Sequence, residues 1–416
     1  MNRFPARGMD TVIAVYAVAI AKMEHRPDTA IMKIHLVLIL ASAAGCASCD
    51  ALEHGRGELQ MPVPIAGTSI KPRTFDLGDP RKVDELTGKL TDKRALFIGE
   101  IHDQPQHHQN QLRLIQNLYA RYPYIAIGVE YFQQPFQTHI NDYIAGYIDE
   151  REMLIRTEYF KRWQVDYRML QPILNFAREK HIPVLALNIS EEIHHKVFHG
   201  GFNSLTPEER AHIPNDIQSV GRDYRDRLKA IFDIHPEGDS FETFVEGQVL
   251  WDEAMADVAA TYLKDHPQTL LVVLAGLGHM MYGDGIPKAL DRRLGGRYST
   301  VAINGNQFGE HPGIADFILS APGGVSLPKP GKLGVAIEDG SNGVLITRLV
   351  SDSAAKASGI DADDHIVTLD GMTVTNVNEM KAIMFDKRPG DVVHVTVRRE
   401  RLLSANQDLQ FEVTLR

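Results

Sequence analysis

The sequence predicts an α/β protein: a mostly parallel sheet flanked by helices, followed by a small C-terminal β domain with a short helix. Three observations carry the prediction. Five short apolar runs alternate with stretches of helical periodicity. Each run ends in glycine or polar residues, so each reads as a buried strand feeding a loop. A Pro/Gly/Lys-rich break at 321–331 then changes the pattern to short strands with one short helix. Parallel neighbours need long crossovers, and intervening helices supply them on both faces.

The elements follow in order. Ala95–Ile98 is the first strand, closed by Gly99, and His107–Arg121 the first helix, with Leu112, Ile115, Leu118 and Tyr119 at helical spacing. Ile125–Val129 is a second strand. Pro135–Tyr147 and Asp166–Lys180 read as helices, the latter with Met169, Leu170, Ile173, Leu174 and Ala177 on one face. Val184–Leu187 is a third strand, running into Asn188. Ser190–Asp233 is polar and helical in pattern, and Phe241–Lys264 is a long helix built on Phe244, Val249, Met255, Ala259 and Leu263. Thr269–Ala275 and Tyr298–Ile303 complete the five strands.

The chain has 416 residues, 24% charged and 44% apolar, which suits globular domains with real cores and excludes global disorder. The formal charge of −10 gives no basic face for tracking a phosphate backbone, so a nucleic-acid partner is not expected. The two cysteines are Cys46 and Cys49, and none follows. A Cys-ligated zinc, an iron–sulfur cluster and a thiol nucleophile are therefore excluded from the rest of the chain.

Residues 1–46 read as an address. Met32-Lys33-Ile34-His35, the apolar run Leu36–Ala41 and the small residues Ser42–Gly45 form a secretory signal, too short to span a bilayer. Ala43-Ala44-Gly45-Cys46 resembles a bacterial lipobox, with Ala43 where leucine is usual, and predicts lipidation of Cys46. Translation beginning at Met32 would make residues 1–31 a misplaced start. Residues 47–74 read as a tether, 75–320 as the α/β domain and 328–416 as the small domain. Ala47 after Cys46 predicts a lipid-anchored protein of the bacterial outer membrane, facing the periplasm.

Ligands of open α/β sheets bind beyond the carboxyl ends of the strands. That rule collects Glu100, His102, Glu130, Tyr131, Asn188, His279 and Tyr282 from four segments onto one rim. Glu100 and His102 alternate by two, and with Glu130 and His279 form a two-histidine, two-carboxylate set. Such a set suits acid–base work or a divalent metal (Mn, Co or Zn), which makes a metal-dependent hydrolase one reading. No phosphate-binding loop, zinc-protease helix motif or nucleophile elbow occurs, and Met281 spoils a dinucleotide reading of Gly276–Met281.

Ala95–Asp103, Gly128-Val129-Glu130, Trp251–Ala256 and Ala275–His279 with Gly285-Ile286-Pro287 resemble the ChaN-type haem-binding lipoproteins, relatives of the Tiki, TraB and erythromycin esterase proteins. The resemblance spans roughly residues 75–305. It implies a lipid anchor, a homodimer holding stacked haems, tyrosine ligation of iron and a role in iron or haem uptake. It does not specify the tyrosine. Tyr282, three residues after His279, would share its pocket and a hydrogen bond in a helical turn. Tyr131 would point away by strand alternation, and Tyr224 is a third choice.

Lys332–Ile337, Gly343–Val350, Ser353–Ile360 and Asp364–Gly371 resemble a bacterial PDZ domain, with Ala362-Asp363-Asp364 where the family has Pro-Gly-Asp. That resemblance implies peptide binding by strand addition, with the amides of Leu333, Gly334 and Val335 receiving a carboxylate. A packing or oligomerisation module without a free ligand is the other reading of this domain, and an envelope scaffold working through it, with the α/β domain a relic, is a third reading of the whole chain.

Overall fold

The computed structural model describes residues 71–90, 92–163, 165–234, 238–320, 323, 325–400 and 406–416. The signal segment and the predicted lipidation site at Cys46 lie outside them. Among the described residues, no helix is long and apolar enough to cross a membrane.

Two compact units divide the described residues, one within Met1–Gln137 and Glu179–Gly324, the other within Thr138–Arg178 and Val325–Arg416. The first is built on seven parallel strands: β1 (Arg73–Asp76), β2 (Ala95–Glu100), β3 (Ile125–Gln133), β4 (Val184–Asn188), β5 (Leu270–Gly276), β6 (Ser299–Asn304) and β7 (Phe317–Ser320). Their spatial order is β1-β7-β6-β2-β5-β3-β4.

All five expected strands are present, and their residues are buried along their whole length. Continuous apolar runs mark a sheet covered on both faces. Two further strands, β1 and β7, lie at the sheet edge where none was expected. Each has four residues, too short for a period, and in β1 only Phe75 is buried.

The late strand β5 enters between β2 and β3, pairing Ala95 with Leu271 on one side and Ile125 with Leu270 on the other. The carboxyl ends of β2, β5 and β3 therefore lie side by side. Across one face runs the 25-residue helix Phe241–Asp265, opened by a Ser240–Thr243 capping box. Its Trp251, Met255, Ala256, Ala259 and Leu263 join Phe97, Leu271, Val273 and Ile303 in one core.

The second unit is an antiparallel sheet of β8 (Val335–Gly340), β9 (Gly343–Leu349), β10 (His365–Leu369), β11 (Met372–Thr373), β12 (Val392–Arg399) and β13 (Gln407–Thr414). The order is β13-β12-β10-β9-β8, with β11 beside β10, so β8 is an open edge. Helix Val377–Met384 belongs to this unit. So does the helical stretch within 138–178, although it is inserted between β3 and β4. Asn378 joins them: its Oδ1 accepts the Phe160 amide at 2.9 Å, and its Nδ2 donates to the Ile155 carbonyl at 3.2 Å. Phe385 meets Tyr167 edge to face at 5.4 Å.

Candidate functional site

The site forms where β2, β5 and β3 end. Strand β2 delivers Glu100, and His102 follows two residues on. The next helix, Pro105–Tyr119, brings His107, His108 and Gln111 back over the strand end. Strand β3 carries Glu130 and Tyr131. Past β5, the turn Leu277–His279 presents His279. Helix Phe241–Asp265 adds Asp252, and helix Arg222–Ile234 adds Tyr224. All ten side chains named here are buried.

They form two hydrogen-bonded halves. In the first, His102 Nδ1 donates to Glu100 Oε1 at 2.9 Å and Gln111 Nε2 donates to Oε2 at 2.5 Å. His108 Nδ1 stands 3.5 Å from the same Oε2, while its Nε2 donates to the His102 carbonyl at 2.9 Å. In the second, Tyr224 donates its hydroxyl to Asp252 Oδ2 at 2.6 Å, and His279 Nδ1 donates to Oδ1 at 2.7 Å. His279 Nε2 faces Glu130 Oε1 at 3.5 Å, and Glu130 Oε2 accepts the Gly276 amide at 2.7 Å.

The halves meet at Gly276. A Cβ there would lie 3.0 Å from His102 Nε2, close enough to push that ring aside, and 3.6 Å from Glu130 Oε2, in ordinary contact.

Burial works against every charge here, and the neighbours decide each outcome. Burial alone would raise the Glu100 carboxyl, but the His108 and His102 imidazoles bring it down to about 2. Burial would lower His279, yet the Glu130 charge and the Asp252 hydrogen bond lift it to about 10. His102 is likewise raised against its burial, through Glu100 and Glu130. Glu130 is lowered, its burial outweighed by His279. His107, buried and accepting the Ile101 amide on Nδ1 at 3.0 Å, is pushed down to about 4 and stays neutral.

The structure brings together the four residues of the predicted histidine–carboxylate set. Among the described residues, no group of three or more His, Cys, Asp or Glu is placed to hold a metal ion. The cluster is buried and threaded by histidine–carboxylate pairs.

Two geometric expectations about tyrosines are corrected. Tyr282 makes no hydrogen bond to His279, whose Nδ1 is committed to Asp252 and whose Nε2 faces Glu130. The assumed helical turn is broken at Tyr282 itself, where φ is 63°. Its amide donates to the Ile314 carbonyl at 2.7 Å, and its ring lies 4.4 Å from the Arg227 guanidinium. Tyr131 does not point away. Its ring centroid lies 6.3 Å from that of His102 and 6.2 Å from that of His108, and its hydroxyl helps hold Glu100 low. Strand alternation fails because the β3–β4 pairing shifts register between Val129 and Gln133.

Asp252, Gln111 and the tie from Tyr224 were not legible as site features. The available signal was Asp252-Glu253, two adjacent acids within the run Val249–Ala256, otherwise apolar. Glu253 has a separate, structural use: it accepts Arg292 Nη1 and Nη2 at 2.9 and 2.6 Å. In the second unit, Leu333, Gly334 and Val335 lead into edge strand β8, with Gly334 at φ 76° as a receiving turn needs.

Residues 86–290 match the family model described as haem-binding uptake, Tiki superfamily, ChaN, and residues 325–398 match the PDZ domain. No curated protein matches the chain. Among solved structures, ChaN of Campylobacter jejuni with cofacial haem is 18% identical, covering 53% of this chain and 85% of its own, at a TM-score of 0.43. An erythromycin esterase in its open conformation is 12% identical, over 56% of this chain and 76% of its own, at 0.36. A serine endoprotease from Yersinia pestis is 22% identical, over 21% of this chain and 28% of its own, at 0.18.

Proposed function

From a chain whose residues 86–290 are a ChaN-like haem-binding domain of the Tiki superfamily and whose residues 325–398 are a PDZ domain, we propose a haem-binding envelope protein that serves iron or haem uptake. The family match carries this reading. The residues present fit the group at one place. Haem is a broad plate and needs a donor that reaches the surface. Tyr131 and Tyr224 are only 4% and 5% exposed, and Tyr224 is tied to Asp252. Tyr282 is half-exposed, in the rim loop that follows His279.

Ferric haem, when bound, supplies a hard cation that prefers an anionic oxygen donor. The chain's part is to hold that oxygen, while the bound ferric ion would supply the pull toward its anion. Burial raises the Tyr282 phenol, and the Arg227 cation beside its ring pulls it back. Arg227 is itself held by Asp284. The buried network fixes the loop from below. Gly285, at φ 61°, packs so closely that a Cβ would lie 2.3 Å from the His279 carbonyl oxygen and 3.0 Å from Asp252 Oδ2.

In this reading the protein is a homodimer, lipidated at Cys46 and placed at the outer membrane facing the periplasm. The signal pattern before Cys46 supports the anchor. The PDZ domain takes a peptide carboxylate at Leu333-Gly334-Val335 and adds the peptide as a strand along β8.

Haemin titrated into the protein tests the assignment. The expected product has a tyrosinate-to-iron charge-transfer band, which Tyr282→Phe abolishes while far-UV circular dichroism is unchanged. No haem spectrum in the parent refutes haem binding. An unchanged band in Tyr282→Phe refutes Tyr282 and moves the ligand to Tyr131 or Tyr224.

A further inference from the structure

The helix Glu191–Gly200 carries three histidines with two different fates. His194 turns inward, where its ring stacks 4.5 Å from Trp251. His195 and His199 sit four residues apart, hence one above the other on a single face. Their ring centroids are 4.5 Å apart with planes tilted by 46°. Both are partly open to solvent, the His199 side chain at 34%. Neither belongs to the buried network or to the rim loop carrying Tyr282.

A second element fixes the pair. Asp239, from the loop before helix Phe241–Asp265, accepts a hydrogen bond from His199 Nδ1 at 3.2 Å. In the neutral ring that bond sets the proton on Nδ1, which leaves Nε2 as the nitrogen that can bind a metal. A carboxylate orienting a histidine from behind is the arrangement metal-ligating histidines generally have. Lys196, the cation between His195 and His199 in sequence, is drawn off to Glu209 at 2.5 Å.

We propose that His195 and His199 form a two-nitrogen chelate for a divalent transition-metal ion of the zinc–copper class, with Asp239 as the positioning residue. Imidazole nitrogens suit these borderline cations, while the hard ions Mg²⁺ and Ca²⁺ prefer oxygen. Two nitrogens on one tetrahedral ion stand about 3.4 Å apart, from Zn–N bonds of about 2.1 Å. Rings with centroids 4.5 Å apart on one helix face put both imidazoles within reach of a shared ion. Water completes the coordination, and the site is open rather than structural. It is independent of the haem reading.

The test is a Zn²⁺ titration of untagged full-length protein against a chromophoric chelator. Cys46 and Cys49 also attract zinc, so the comparison with variants decides. His195→Ala/His199→Ala is expected to lose one equivalent of bound Zn²⁺. Asp239→Asn is expected to weaken that equivalent about tenfold. His212→Ala, exposed and outside the pair, leaves it unchanged. Circular dichroism confirms the fold of each variant, and haemin binding stays at the parent level in all of them. Equal zinc uptake by the parent and the double variant overturns the proposal. So does a parent equivalent that is insensitive to Asp239→Asn.

Discussion

Removing the Asp252 charge should unmask how much the buried network contributes. Asp252→Asn keeps shape and hydrogen-bonding capacity but leaves the His279 imidazolium with Glu130 alone, 3.5 Å away. Folding lifts His279 from 6.5 to about 10, which corresponds to roughly 5 kcal/mol of stabilisation from its two carboxylates together. Asp252 makes the closer contact, 2.7 Å, and should account for most of it. Part is returned, because burial holds the Asp252 carboxyl above 3.8 and the amide escapes that cost. We expect a net loss of about 3 kcal/mol at pH 6, in line with breaking one partner of a buried ion pair.

The pH dependence has a definite sign. A raised histidine contributes fully below 6.5, and its contribution disappears as pH climbs through about 10. The gap between parent and variant should therefore be complete at pH 6 and nearly closed at pH 10.5. Urea unfolding read from Trp251 fluorescence measures it locally, since that indole lies 5.1 Å from the His279 ring. A gap below about 1 kcal/mol at pH 6, or one equally large at both pH values, refutes the reasoning.

Two further outcomes follow from the same geometry. Glu100 is held at about 2 against 4.5, so its contribution is present above 4.5 and lost as pH falls through 2, about 3 kcal/mol in all. Glu100→Gln should remove this acid limb, leaving melting temperature between pH 5 and pH 2 less steep than in the parent. In the second unit, Gly334→Ala puts a Cβ at φ 76° and 2.5 Å from the Ser353 Cβ. It should cost about 1–3 kcal/mol and abolish binding of a fluorescent peptide with a free hydrophobic carboxyl terminus, read by polarisation.

Much of the fold was legible because burial leaves a local trace. Strands covered on both faces must be apolar throughout, and β2 through β6 are. The edge strands β1 and β7 escaped because four half-exposed residues carry no such trace. The Gly-Glu-x-His and Gly-x-Gly-His segments were legible too, since polar residues directly after buried strands mark a rim. The orientation of Tyr131 was not: a register shift is a property of two paired strands, and β3 alone does not display it.

Local hydropathy marked the five long buried strands, their alternation with helices, and the polar groups at strand ends. These depend on the hydropathy of near neighbours, which periodicity records. Only the tertiary structure decided that β5 inserts between β2 and β3, setting Glu100, His279 and Glu130 on adjacent strand ends. It also brought Asp252 onto His279, with Tyr224 from a second helix donating to Asp252, so that the carboxylates raise the histidine against its burial. The state of a buried histidine depends on which charges lie within a few ångströms. Those come from residues 27 and 28 positions apart in the Asp252 pairings and 149 apart between Glu130 and His279. No local pattern in the chain encodes such a meeting, because it exists only once the strands are ordered and packed.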